Sequence, residues 1–289
     1  MARRFDTVSF LTDYGLDDEF VGVVKAVLRD MAPHALVIDL THGIRPFDVR
    51  GGSLALARAI PYVPDGVVLA VVDPGVGTTR RALAIEVAGG AGILLGPDNG
   101  LLAPAVAIAG GADRAVELTN PEHHLAAPGA TFAGRDVFAP AAAHLCNGGD
   151  LTDLGPLVDS GLLMPGMVAL PRVEDDGLHA EVLWVDRFGN CQLNVGPEDL
   201  AAGVDVWAVS IGDERRAAKL ATSFRELGPG SVGLVLDSQG MYALAFDQRS
   251  AAHELRLATG DAVVLAEFDD GPPGTASPLS SPVVLRRDR

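Results

Sequence analysis

Apolar residues fall into two kinds of segment through the first half of the chain. Thr7-Val-Ser-Phe-Leu-Thr12 is a strand-like run that ends at Asp13. After it, Phe20, Val21, Val24, Val27, Leu28 and Met31 recur at helical spacing. This predicts a helix capped by Asp17 or Asp18, with Pro33 just past its end. Ala35 to Leu40 reads as a short buried strand, and Leu54 to Ile60 as a helix. Val67 to Asp73 is a continuous β-branched run, the pattern of a strand covered on both faces. Leu83 to Val87 and Ile93 to Leu95 add strands, and Arg135 to Leu145 adds a helix. Alternating strands and helices predict a three-layer α/β domain with a largely parallel sheet, spanning residues 1–165.

The pattern changes near residue 160. Met164-Pro-Gly-Met and Leu170-Pro-Arg read as a linker. Short strand-like runs follow at His179 to Val185, Cys191 to Val195, Val204 to Ile211, Val232 to Leu236, Met241 to Phe246 and Ala262 to Phe268. Ala251 to Leu257 alone is helical in pattern there. These runs predict a smaller, mainly antiparallel β domain over 172–270, followed by a loop-like tail at 271–289. No internal repeat is visible.

Composition narrows the functional classes. A chain of 289 residues can bury a large core without disulfides or a structural metal. Apolar residues make up 48% but aromatics only 5%, so the core is aliphatic. The formal charge of -16 argues against a nucleic-acid partner, whose phosphates need cationic neutralisation. It argues equally against an anionic membrane surface, and it is compatible with a cationic ligand. Cys146 and Cys191 fit neither a zinc nor a redox spacing. They read as buried small hydrophobes in a reducing, cytoplasmic compartment. The N-terminus does not read as a signal peptide, and no apolar run reaches the roughly 20 residues of a membrane span.

Polar residues gather where predicted strands end: Asp13, then Asp39 with Thr41-His42, then Asp73. Open α/β sheets bind ligands along that edge, although each aspartate is equally suited to cap the next helix. Asp73-Pro-Gly-Val-Gly-Thr-Thr-Arg80 is glycine-rich but lacks the endings of a phosphate loop or a dinucleotide fingerprint. It sets a carboxylate and a guanidinium on either side of a tight turn, a pair able to orient a water or to serve as a structural ion pair. Metal signatures are missing: His123-His124 is adjacent, so the two rings point apart, and no spaced histidine motif occurs. No Gly-x-Ser-x-Gly elbow indicates a serine hydrolase. In Asp186-Arg-Phe-Gly-Asn190, Phe188 is suited to stack on a flat heterocycle. The Asn190 amide can both donate and accept, as an adenine edge requires. A plain β-turn at Gly189-Asn190 accounts for the same motif.

Seven motifs occur in order: Phe10-Leu-Thr-Asp-Tyr-Gly, Asp39-Leu-Thr-His, Pro46-Phe-Asp-Val, Val72-Asp-Pro-Gly-Val-Gly-Thr, Gly96-Pro-Asp-Asn-Gly-Leu, Thr131-Phe-Ala-Gly-Arg-Asp and Val185-Asp-Arg-Phe-Gly-Asn. Together they closely resemble the S-adenosyl-L-methionine (SAM) hydroxide adenosyltransferases, relatives of fluorinase and chlorinase, to about residue 265. The resemblance implies an N-terminal α/β domain, a C-terminal β domain, and a homotrimer with active sites between subunits. It implies hydrolysis of SAM to adenosine and L-methionine by in-line attack of water at the ribose 5' carbon, with SAM as substrate and no cofactor or metal. By resemblance, Asp13 holds the ribose hydroxyls, Asp18 and Asp186 the methionine ammonium, and Phe47 lines the pocket near the ribose. Phe188 stacks on adenine, Asn190 bonds its edge, and Ser238 holds the methionine carboxylate. Phe132 and Gly134 are counted with the substrate-binding residues on the same basis.

Asp73 and Arg80 are the implied catalytic pair. The halogenases carry Tyr where this chain has Asp73, and fluorinase carries Thr where it has Val76, which favours water as the nucleophile. One position departs from the hydrolases: Ala133 stands where they carry His. That departure leaves open a reduced rate, compensation by His123 or His124, adenosyl transfer to chloride or another anion, or a SAM- or adenosine-binding protein with weakened catalysis.

Overall fold

A computed structural model describes residues 4–268. They form two compact units that divide between Val168 and Ala169. The predicted tail at 271–289 lies outside the described residues.

The first unit is built on a seven-stranded sheet. Its strands are β1 (Thr7–Thr12), β2 (Leu36–Thr41), β3 (Gly66–Val71), β4 (Ala82–Val87), β5 (Gly92–Pro97), β6 (Ala112–Glu117) and β7 (Leu157–Val158), in the order β2-β1-β3-β5-β4-β6-β7. β2, β1, β3 and β5 run parallel, and the three remaining pairings are antiparallel. The parallel half carries the strand ends that matter for chemistry. All six residues of β3 are buried, because consecutive side chains meet apolar partners on opposite faces. Val67, Leu69 and Val71 join one core with helices α1 (Phe20–Met31) and α4 (Ala139–Cys146). Val68 and Ala70 join another, with α2 (Val49–Ala59) and α3 (Ala103–Ile108). Three layers result.

Several elements differ from expectation. α1 begins at Phe20 with Glu19 at its N-cap position and no side-chain cap, so neither Asp17 nor Asp18 caps it. β2 is an edge strand bonded to β1 alone, and its Leu36 is 63% exposed. Its apolar composition therefore does not make it buried. α2 starts five residues before Leu54, because the Asp48 carboxylate accepts the Gly51 N–H at 2.7 Å and caps it. The helix expected from Arg135 opens as a π-helical turn, Gly134–Phe138, and runs straight into α4. The polar strand β6 and the short helix α3 carry no clear periodicity and were not expected.

The second unit contains β8 (Arg172–Glu174), β9 (Gly177–Val185), β10 (Cys191–Leu193), β11 (Val206–Ile211), β12 (Glu214–Ala221), β13 (Gly233–Leu236), β14 (Tyr242–Ala245), helix α5 (Ala251–Leu255) and β15 (Ala262–Glu267). β9 pairs with β15 on one side and β10 on the other, so the ring β9-β10-β14-β13-β12-β11-β15 closes into a barrel. Every pairing is antiparallel except β12 with β13. Val182, Leu193, Val209, Leu234, Leu244 and Leu265 fill its interior.

Both cysteines are buried and unpaired. Burial pushes each thiol up to about 12, so neither offers a thiolate at neutral pH. Among the described residues, no helix is long and apolar enough to cross a membrane.

Candidate active site

The carboxyl ends of β1 and β3 open into a cleft of about 430 Å³. Asp13, Asp18, Phe47 and Asp73 line it, together with Tyr14, Val76, Thr131 and Ala133. Asp73 lies two residues beyond β3, and Arg80 turns back onto it around the glycine turn. Arg80 Nε donates to Asp73 Oδ1 at 2.7 Å, and Arg80 Nη2 donates to Asp73 Oδ2. The pair is therefore bidentate, a fork on a fork. Arg80 is further held by its bond to the Arg81 carbonyl at 3.0 Å. The Asp73 side chain is 4% exposed and that of Arg80 15%, so water screens the contact little. The cleft offers three carboxylates against this one guanidinium, a net negative lining suited to a cationic ligand.

Asp13 is held across the cleft mouth, where its Oδ2 accepts the Phe47 N–H at 2.9 Å. Phe47 adopts φ +69°, unusual for a bulky residue. Its ring stays 72% exposed. Burial raises the Asp13 carboxyl above its ordinary value, with a smaller upward push from the Asp73 charge. The Phe47 N–H pulls it partly back down. Asp18 is exposed at the rim, free of the capping role that its position suggested.

Tyr14 is a cleft-lining residue that sequence reasoning passed over. Its ring packs 5.7 Å from Phe20 and 5.8 Å from Phe132. Burial, then the charges of Asp13 and Asp73, push its phenol far above the ordinary range, so it stays neutral and acts as no base. Gly134 is what admits it: a Cβ there would meet the Tyr14 hydroxyl and lie 3.2 Å from its Cζ. Phe132 packs against Phe20 at 5.1 Å under the Arg135 guanidinium. Phe132 and Gly134 thus shape the wall behind Tyr14, while Thr131 and Ala133 face the cleft.

Among the described residues, no histidine lines this cleft. Of the alternatives that Ala133 leaves open, a reach of His123 or His124 into this cleft finds no support in its lining. The His123 ring lies tilted against His144, with centroids 4.1 Å apart, and His144 lies 3.1 Å from Asp153. Burial lowers both His123 and His124.

Phe188 and Asn190 lie on the β9–β10 turn and line a separate pocket of about 790 Å³, shared with Phe224, Phe246, Arg249 and Ser250. Asp186 organises the turn. Its Oδ1 accepts the N–H groups of Phe188 and Asn190 at 2.9 and 2.8 Å, and its Oδ2 accepts Asn190 Nδ2 at 2.8 Å. The Asn190 backbone carbonyl accepts the Asp186 N–H at 3.0 Å, which closes the turn. Ser238 sits exposed on the β13–β14 turn and does not line that pocket. Phe224 and Arg249 were invisible in the sequence, since nothing in their local spacing marks them. On the β8–β9 hairpin, Glu174, Asp176 and His179 bring ligand atoms within 4.8 Å of one another. His179 already pairs with Asp176 at 2.7 Å, so the group reads as a solvated ion pair.

Acidic groups line the cleft at the ends of the parallel strands, and in the second unit a separate pocket on the β-barrel is lined by aromatic residues. The chain belongs to the SAM hydroxide adenosyltransferase family: residues 8–155 match its N-terminal domain and residues 180–264 its C-terminal domain. It is 47% identical over 254 residues to an (R)-S-adenosyl-L-methionine hydrolase from Salinispora arenicola, covering 88% of this chain and 95% of that one. A hydrolase of the same name from Thermus thermophilus is 41% identical, over 88% and 96%. A fluorinase from Nocardia brasiliensis is more distant, at 28% over 90% and 96%. Among solved structures, an uncharacterized conserved protein from Thermotoga maritima superposes with TM-score 0.81 at 34% identity, over 89% and 99%.

Proposed function

We propose that the chain hydrolyses SAM to adenosine and L-methionine by in-line attack of water at the ribose 5' carbon. The observation that carries this reading is the bidentate Asp73–Arg80 pair, which shares one cleft with Asp13. A sulfonium is already a good leaving group. The C–S electron pair goes to sulfur, giving a neutral thioether, as the new O–C5' bond forms. No cofactor is needed for that step. What remains is positioning of a desolvated nucleophile. Asp73, held rigid by Arg80, accepts one hydrogen of the attacking water and takes its proton late in the reaction. Asp13 accepts from the ribose hydroxyls, while Asp18 and Asp186 face the methionine ammonium. Phe188 and Asn190 receive adenine, and Ser238 the methionine carboxylate. By family resemblance, the acid cleft of one subunit meets the barrel pocket of the next in a homotrimer.

The Asp73 carboxylate also argues against halide as nucleophile, since it repels an anion where the attack must start. Chromatography of SAM incubated with the purified protein tests the reading. Adenosine and methionine are expected, with or without chloride, and a 5'-chloro product overturns it.

Ala133 favours one second reading, a SAM-binding protein with weakened catalysis, because an alanine faces the cleft where the hydrolases carry a base. Ala133→His should raise adenosine formation, by up to the roughly 10²–10⁴-fold that general-base help supplies. An unchanged rate in a folded protein counts against a role for that position.

The raised Asp13 carboxyl sets an expected pH profile. Asp13 accepts from the ribose only when ionised, and its ionisation is shifted upward. The kcat/KM for SAM should therefore fall as pH drops through a range above that of ordinary aspartates, about 3.9, and be fully developed above it. The acid limb should disappear in Asp13→Asn. A limb that persists there belongs to another group.

A further inference from the structure

The Asp39-Leu-Thr-His42 motif at the end of β2 has no part in the chemistry above. Its histidine is 6% exposed and lies beneath the loop that carries Asp13. It grips that loop at two points. The ring Nδ1 is 2.8 Å from Thr12 Oγ1, and the His42 carbonyl accepts the Gly15 N–H at 2.8 Å. Thr12 Oγ1 in turn accepts the Tyr14 N–H at 3.1 Å. Asp13 is thus pinned by the residues on both sides of it.

The facing carboxylate assigns the protons. Nε2 lies opposite Asp39 Oδ1, which only accepts, so the neutral ring carries its proton on Nε2 and the Thr12 hydroxyl donates to His42 Nδ1 while its oxygen accepts the Tyr14 N–H. Nε2 lies 3.2 Å from Asp39 Oδ1, at an angle short of a well-formed hydrogen bond. The Thr12 contact is therefore the stronger hold. The Phe10 ring, edge-on at 4.8 Å, closes the site.

We infer that His42 is a positioning residue that acts through Thr12 to set how the Asp13 carboxylate is presented to the ribose. The assignment rests on the reading of Asp13 as the ribose ligand. The Asp13 carboxylate is held by backbone N–H groups, that of Phe47 on Oδ2 among them, so its presentation follows the loop that carries it. A displacement of about 1 Å in such a group can cost about 10²-fold in rate.

Four variants and a double mutant test this, read as kcat/KM for adenosine formation from SAM. His42→Ala should lose about 10- to 100-fold. Thr12→Val keeps the side-chain shape, removes the hydroxyl and should lose a similar amount. It carries the comparison if His42→Ala does not fold. His42→Asn should recover most of the loss, because its amide oxygen can accept the Thr12 proton. In an Asp13→Ala background, His42→Ala should cost less than about twofold, since both act through one contact. Losses that multiply fully across the double mutant, an unaffected His42→Ala, or a His42→Asn no better than alanine each overturn the positioning role. Undiminished turnover in Asp13→Ala alone sinks the ribose reading itself, and the positioning role falls with it.

Discussion

Asp73→Asn should lower adenosine formation about 10²–10⁴-fold while leaving SAM affinity nearly unchanged. The substitution preserves size and planarity, so the turn back to Arg80 can still form. It removes the charge that accepts the hydrogen of the attacking water, and it replaces one acceptor oxygen of the two that Arg80 grips with a donor. Two donors then face each other with little solvent to relieve them. The water loses its orientation and its proton acceptor together, and both losses act on the transition state rather than on bound SAM. Single-turnover kinetics alongside calorimetric SAM binding separates the two effects. Near-native turnover in a folded Asp73→Asn protein would remove Asp73 from the reaction. Arg80→Lys is the matching probe, since a point charge cannot reproduce the fork, and its loss should be smaller because the carboxylate survives.

Gly189→Ala should damage the second unit as severely as Asp73→Asn damages the first. Gly189 has φ +85°, a conformation that costs an L residue about 1–2 kcal/mol. An added Cβ would lie 2.5 Å from Ser250 Cβ and 2.8 Å from Ser250 Cα. Ser250 cannot move aside easily. It caps α5 through the His253 N–H, and the Ala252 N–H bonds back to the Gly189 carbonyl at 2.9 Å. Overpacking of this kind adds about 1–3 kcal/mol. The turn that would have to yield is the one presenting Phe188 and Asn190. A lower Tm and a weaker SAM affinity are therefore expected together. An unchanged Tm would show that the turn is softer than its hydrogen bonds indicate.

Both predictions concern turns whose reading from sequence alone stayed divided. Asp73 with Arg80 admitted either a water-holding pair or a structural ion pair. The folded geometry forms the ion pair, and the proposed water-holding role builds on it, because the pair holds the carboxylate still. The Asp186 turn is likewise a β-turn and a side-chain platform at once. Strand ends were legible wherever both faces of a strand are buried, as in Val67 to Val71, since a short unbroken run of β-branched residues suits a covered strand and little else. β12 was not legible. Glu214, Arg215 and Arg216 open it, and its buried positions are alanines too small to mark a period. Barrel closure was hidden on separate grounds, since pairing of β9 with both β10 and β15 is a matter of register between distant segments. Tyr14 was hidden because its place depends on the missing side chain of Gly134. No spacing in the chain connects those two residues, 120 apart in sequence.

The closed ring also imposes an order on synthesis. The sheet of the first unit has every strand it needs once β7 has emerged at Val158. The barrel does not, because β9 and β11 both wait for β15, the last of its strands. Bringing residue 262 back to residue 181 closes a long loop at an entropic cost that grows only slowly with length. Until then, both strands present unpaired backbone to any neighbouring chain. A nascent or truncated chain that stops short of Ala262 would therefore carry a finished acid cleft together with an unsealed and adhesive barrel. Proteolytic or translational loss of that final strand should be felt first as aggregation, and only then as lost catalysis.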